Sequence, residues 1–315
     1  MMQLSVVHRT LLALVVCVAA WGSVFPSAKL VLVDMDGLSL AMWRFIFSVA
    51  GLAAYCLWMK MPLPRLRWWQ YAALAVAGMV GVGGFNVWLF IGLTETSAAN
   101  AALIMAQSPL VTTLFANLLA GTLPGRMSLL SLLISLGGVL LVISHGDLAL
   151  LRHLQVNHGD LYVLAGMLAW SGYTLFAQRV SHWLLPLGFT LLTMVAGMAL
   201  IVLVNVQLAS RPLWQELIAL PPLSLGVLLY ISLFATVLGY LFWNNGIKQL
   251  GAARTSLFFN LVPIFAALSS LLLGQHISLL QWLGMLVVLG GLLLPRLVSG
   301  LGQWRQRRTG WSVSQ

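Results

Sequence analysis

The side chains most able to do chemistry in this sequence are the few polar ones set inside long apolar stretches. Lys29 and Arg44 are the charged examples, each about four residues, roughly 6 Å, inside the end of an apolar run. Two readings fit them. They snorkel to a headgroup layer or pair with Asp34 or Asp36, or they form an electrostatic site for a carboxylate-bearing ligand. Asn86 and Phe90 are four apart, on one helical face, in a run that also holds Gly81 and Gly84, where the backbone can bend or be approached closely. Tyr240 and Asn244 repeat that spacing later in the chain. Asn100 and Gln107 lie seven apart before Pro109, and Asn260 stands just before Pro263. Each proline lacks an amide hydrogen, so both disturb the helical ladder and free carbonyls in the preceding turn. These amides serve either as glue between helices or as the lining of a wet cavity. Trp21 and Trp170 fall mid-run at equivalent places, with Tyr173 and Gln178 further along the second run, and suit an aromatic wall against an apolar ligand.

Other chemistries lack their residues. All six acids and all six histidines fall in loops or at the borders of apolar runs, so a nucleophile with its base, or a metal cluster, has no members at one depth. No Gly-x-x-x-x-Gly-Lys-Ser/Thr stretch is present to cradle ATP phosphates. Cys17 and Cys56 have no partner at metal-ligand spacing and read as small apolar packing residues. The sequence thus gives no reason to expect a catalytic site, metal or cofactor. An intramembrane enzyme and a non-transporting membrane scaffold are the rival classes to a carrier. Glu95 is the acid nearest to a role in proton coupling; exchange or facilitated diffusion needs none.

The elements that must position these residues follow from composition. Of 315 residues, 61% are hydrophobic and 7% charged, where a soluble domain carries about 25% charged residues. Ten apolar runs reach membrane-spanning length: 11–33, 39–59, 70–92, 98–119, 128–144, 160–178, 186–208, 223–245, 252–273 and 279–298. The fold class is therefore an all-α membrane protein. With the N-terminus inside, the cytoplasmic segments hold Arg9, Lys60, Arg65, Arg67, Arg126, Arg179, Lys248, Arg254, Arg296, Arg305, Arg307 and Arg308, and the external ones only Arg152 and Arg211. That asymmetry predicts an N-in, C-in orientation in a bacterial inner (plasma) membrane. It also explains the net charge of +10 without nucleic acid. The expected partners are the lipid bilayer and a small-molecule substrate, and self-association into a homo-oligomer is compatible with the sequence.

Residues 92–109 align with 246–263 without a gap, matching Gly92/Gly246, Ala98/Ala252, Ala99/Ala253, Leu103/Leu257 and Pro109/Pro263. With one residue removed, Gly121 falls on Gly274 and Gly137-Gly138 on Gly290-Gly291; upstream, Ala20-Trp21 matches Ala169-Trp170. The expected organisation is a first five-helix repeat (1–146), an external linker (147–157), a second five-helix repeat (158–298) and a basic cytoplasmic tail (299–315). Five is odd, so the second copy enters the membrane from the opposite side. Inverted halves of this kind can exchange conformations and open a midplane site to either side.

These features, with Arg44-Phe45 in the second run, resemble the drug/metabolite transporter superfamily, in particular its EamA-type ten-helix members, over residues 9–298. The resemblance implies export of amino acids and related metabolites, with drug or sugar-derivative carriage as the alternative. It implies a central cavity lined by the first, third and fourth spans and their mates. Where the family often has Gly-Glu, this sequence has Gly121-Thr122 and Gly274-Gln275, so no role of that acid carries over.

Overall fold

In a computed structural model, residues 2–61, 65–96, 101, 104–144, 157–208, 213–272, 274 and 276–309 are described, and among them every regular element is helical. The elements are α1 (Met2–Val31), α2 (Gly37–Trp58), α3 (Trp68–Gly78), a π-helical segment π1 (Met79–Gly84), α4 (Phe85–Glu95), α5 (Ser108–Leu119) and α6 (Arg126–Ile143). They continue as α7 (His158–Val180), α8 (Pro186–Leu208), the short α9 (Leu213–Ile218), α10 (Pro222–Leu229), π2 (Tyr230–Leu238) and α11 (Gly239–Leu250). The last are α12 (Ala252–Ser256), a 3₁₀ turn at Leu257–Leu261, α13 (Val262–Leu272) and α14 (Leu279–Thr309).

Six stretches are long and apolar enough to cross a membrane: Val6–Val31, Gly37–Trp58, Trp68–Leu93, Pro186–Leu208, Pro222–Leu250 and Ala252–Leu272. Ser108–Leu119, Arg126–Val142 and Leu279–Leu294 are shorter apolar helices, and α7 runs for 23 residues. In a bilayer a backbone must satisfy its own polar groups, which is why such runs become helices. Much of their outer surface is bare leucine, as at Leu12, Leu118, Leu133, Leu203 and Leu286, where lipid takes the place of a protein neighbour.

The structure redraws several expected boundaries. The first helix starts at Met2 rather than residue 11 and ends at Val31, which puts Lys29 in its last turn and leaves that residue exposed. The second starts at Gly37, capped by the Asp36 carboxylate on the amides of Leu38 and Ser39, so Arg44 sits roughly 10 Å into its helix instead of 6. The expected pairing of these cations with Asp34 or Asp36 gives way to other bonds: Asp36 is the cap, and Asp34 accepts from Ser224 at 2.6 Å. The expected tail begins inside α14, which continues to Thr309.

Two of the expected spans contain a π-helical stretch where regular α-helix was expected. In π1, Gly81 lies against Tyr173 so closely that a Cβ would meet the tyrosine's own Cβ at 2.3 Å. A widened turn leaves carbonyls without their usual partner, and side chains supply the donors. Asn86 Nδ2 donates to Val82 at 2.8 Å, Thr236 Oγ1 to Ile231 at 2.9 Å, and Ser48 Oγ, from α2, to Ser232 at 2.8 Å. Pro109 stands in the first turn of α5, where its missing amide costs nothing. Pro263 follows the 3₁₀ turn.

The helices pack in a network across the chain. α1 packs on α11 and α13, α7 on α4 and α5, α2 on π2, and α8 on π1; α2 also meets α8, α5 meets α12, and α6 meets α14. In the α6–α14 pair one glycine of each doublet faces the partner: a Cβ on Gly138 would meet the Val288 nitrogen at 2.6 Å and one on Gly291 the Ser135 nitrogen at 2.7 Å. Gly137 and Gly290 have open space.

Candidate functional site

At the meeting of α1, α7, α11 and the 3₁₀ turn, aromatic rings converge. Trp21 lies 5.6 Å from Trp170, 5.2 Å from Trp243, 6.0 Å from Tyr240 and 6.1 Å from Phe259, measured between ring centroids. Trp170 is in turn 5.6 Å from both Trp243 and Tyr240, and stacks on Tyr173 at 5.5 Å. Edge-on and offset contacts dominate, as ring quadrupoles favour, each adding about 1 kcal/mol beyond simple burial. Trp21 reaches in because α11 begins with Gly239, where a Cβ would come within 2.3 Å of the indole nitrogen.

Two polar groups of residues border this aromatic centre. On one side the Arg44 guanidinium donates to Asn86 Oδ1, beside Phe45, whose ring centre lies 6.1 Å from that of Tyr240. The guanidinium carbon stands 5.0 Å from the Phe45 ring centre, a cation–π contact. Arg44 Nε is buried and makes no hydrogen bond. A cation at lipid depth costs about 3 kcal/mol even on insertion scales, and an unmade bond adds to that. On the other side Asn244 Nδ2 donates to Tyr173 Oη at 3.0 Å and to Thr190 Oγ1 at 2.9 Å, while Tyr173 Oη and Thr193 Oγ1 are 3.3 Å apart. This side carries no charge and ties α7, α8 and α11 together.

The residues singled out in the sequence thus divide. Trp21, Arg44, Asn86, Trp170, Tyr173, Tyr240 and Asn244 come together. Lys29 and Gln107 are exposed. Gln178 is exposed too and accepts from the Ala252 amide, capping α12 beside Gly251, whose φ of +85° suits glycine. Asn260 donates to Ser135 at 2.8 Å, a bond between helices. Phe90 packs over Gly37 at the start of α2. Asn100 lies outside the described residues. Trp243, Phe259, Thr190 and Thr193 belong to the site but went unnoticed in the sequence. The i, i+3 spacing of the two threonines in an apolar run, and that of Tyr240 and Trp243, were the available signals.

Aromatic rings in mutual contact, flanked by one buried cation and several hydroxyl and amide groups, make up the candidate site; among the described residues it contains no nucleophile–base pair. The family comparison agrees. The model of the EamA-like transporter family matches residues 8–144 and again 157–296. This chain belongs to the EamA-like transporter family. Transporters, not enzymes, make up that family, and with its apolar helices the chain is a multi-pass membrane protein. It is similar to the uncharacterized transporter YyaM of Bacillus subtilis (strain 168), 33% identical over 273 residues that cover 86% of this chain and 88% of the relative. It is also similar to the uncharacterized inner membrane transporter YedA of Escherichia coli (strain K12), 27% identical over 282 residues, with 88% and 87% covered. An uncharacterized transporter of Archaeoglobus fulgidus is 24% identical over 261 residues, with 82% and 87% covered. One solved crystal structure superposes with a TM-score of 0.75 at 17% identity, covering 92% of this chain and 97% of the other. That likeness is one of fold.

Proposed function

We propose that this EamA-like transporter is a secondary carrier of the inner membrane that exports amino acids or related small metabolites by alternating access. In this reading ten spans form two inverted five-helix halves, 1–146 and 158–298, joined by an external linker at 147–157, with both termini in the cytoplasm.

The twofold match of the family model supports the duplication. So does the neighbour network: exchanging the halves turns the contact of α1 with α13 into that of α7 with α5. It likewise turns α1 with α11 into α7 with α4, and α2 with π2 into α8 with π1. Under the gapless alignment π1 corresponds to the end of π2, and Asn86 to Tyr240. Related halves that meet through such pairs can trade conformations.

The observation that carries the substrate reading is the partnerless Nε of Arg44 beside the aromatic cluster. A carboxylate offers that guanidinium the acceptor it lacks, and the Trp21, Trp170 and Trp243 rings suit an apolar side chain. The same rings would also stack on a drug or a sugar face, the second reading. With the acids at helix ends and in loops, exchange or facilitated diffusion accounts for movement without a proton-carrying carboxylate in the bundle.

The test is flux in proteoliposomes loaded with amino acids, their analogues, sugars and cationic drugs. Saturable, selective flux of carboxylate-bearing compounds is the expected result. Preference for drugs or sugars would favour the second reading, and no flux of any compound would sink the transport reading.

A further inference from the structure

The end of α2, the start of α3 and the turn between α7 and α8 lie at one end of the bundle, where Trp69 meets Trp183 edge-on at 5.2 Å. The described acids stand at the other ends of these helices. Asp34 and Asp36 precede α2, Glu95 ends α4, which continues α3 through π1, Asp160 is in the first turn of α7, and Glu216 follows α8 on α9. The 22 residues of α2 alone put Asp36 roughly 33 Å from Trp58. Cations at this end therefore have no carboxylate among the described residues to balance them.

Three of them, Lys60, Arg65 and Arg67, fall between α2 and α3, and all are exposed. Leu66 packs on the core while the arginines on either side of it face out, and Arg67 has extended backbone at φ −73° and ψ 153°. That alternation sets both guanidinium groups on the outer side of the segment. Lys60 ends α2 at φ +48°, the one non-glycine among the described residues in the left-handed region, at a helix end that glycine usually fills. Trp58, 76% exposed, and Trp68, 81% exposed, stand beside the three cations. Indole rings and cations together at the ends of apolar helices suit a headgroup layer, with the rings among the upper chain carbons and the charges at the phosphates.

We propose that this junction of α2 and α3 is a binding site for an anionic phospholipid. Its phosphodiester sits between Arg65 and Arg67, whose planar forks each offer paired donors to phosphate oxygens. Lys60 adds charge, and the acyl chains lie along bare apolar surface at Leu57 and Trp58. That surface favours a lipid over a soluble phosphate. In the proposed topology this end faces the cytoplasm, whose leaflet carries anionic lipid.

Native mass spectrometry of the full-length protein in detergent resolves bound lipids one at a time and gives a dissociation constant for each. The first phosphatidylglycerol is expected to bind roughly tenfold tighter than phosphatidylcholine with the same chains. Arg65→Gln combined with Arg67→Gln should bring the two lipids within about twofold, since a cation near an anionic surface is worth roughly fivefold. Arg126→Gln combined with Arg254→Gln removes the same charge from exposed positions on α6 and α12, which pack on α14 and α5. That pair should keep the wild-type preference. Glycerol phosphate, the headgroup chemistry without chains, should fail to displace the lipid at millimolar concentration. No preference in wild type, or an equal loss in the control pair, would overturn the proposal. So would displacement by glycerol phosphate, which would make the site one for soluble phosphate.

Discussion

Arg44 on α2 donates to the side-chain oxygen of Asn86 on α4, while its Nε is buried without a bond of its own. The pair joins two helices and leaves one strong donor unused. A structural ion would be expected to have all its donors met; a ligand-binding one has something to offer.

Arg44→Gln should therefore cost recognition rather than folding. The measurement is counterflow of an amino acid against its decarboxylated amine. Wild type is expected to prefer the carboxylate, and Arg44→Gln to lose roughly tenfold of that preference, the worth of a charge-assisted bond. Arg44→Lys should restore it in part, since an ammonium lacks the fork geometry. Preserved preference in Arg44→Gln would make the residue purely structural.

Lys29 makes the contrasting case. It is exposed in the last turn of α1, so Lys29→Ala should leave flux within about twofold of wild type, as for a snorkelling side chain. A larger loss of anionic-substrate flux would return Lys29 to the binding site.

The α6–α14 seam gives a stability prediction. Gly138→Ala puts a methyl 2.6 Å from the Val288 nitrogen, whereas Gly137→Ala meets nothing within 4 Å. The first should lower stability by about 1–3 kcal/mol, the usual cost of overpacking, and the second should be neutral or slightly stabilising. Thermal unfolding in detergent compares the two; equal midpoints would contradict the packing described.

Asn260 and Ser135 are bonded at 2.8 Å between helices. A double-mutant cycle with Asn260→Ala and Ser135→Ala should show a coupling of about 0.6 kcal/mol, reaching at most roughly 2. Zero coupling would free Asn260 to serve the substrate, whose flux in the single variant is the companion measurement.

Much of the fold was legible in the sequence because crossing a membrane is a local demand. Any run such as 186–208 must be helical whatever its neighbours are, since its backbone has no other partner in lipid. The candidate site was legible where two stretches of sequence align, as at Trp21 and Trp170. It was hidden where it depended on direction. Gln178 sits on the same helix as Trp170 and Tyr173, yet its amide turns away to cap α12. Trp243 had no aligned partner to mark it and is a fully buried member of the aromatic cluster.

The sequence by itself determined that this chain is a bundle of apolar helices, sparing with charge, because those properties reside in each segment's own transfer free energy. Only the tertiary structure decided which polar groups meet. The π-helical stretches are the physical reason. Their extra residue per turn rotates everything that follows, so the direction of Asn86, Tyr240 and Asn244 cannot be counted off at 3.6 residues per turn. The close contacts that accompany the widened stretches, such as Gly81 against Tyr173, join segments far apart in the chain.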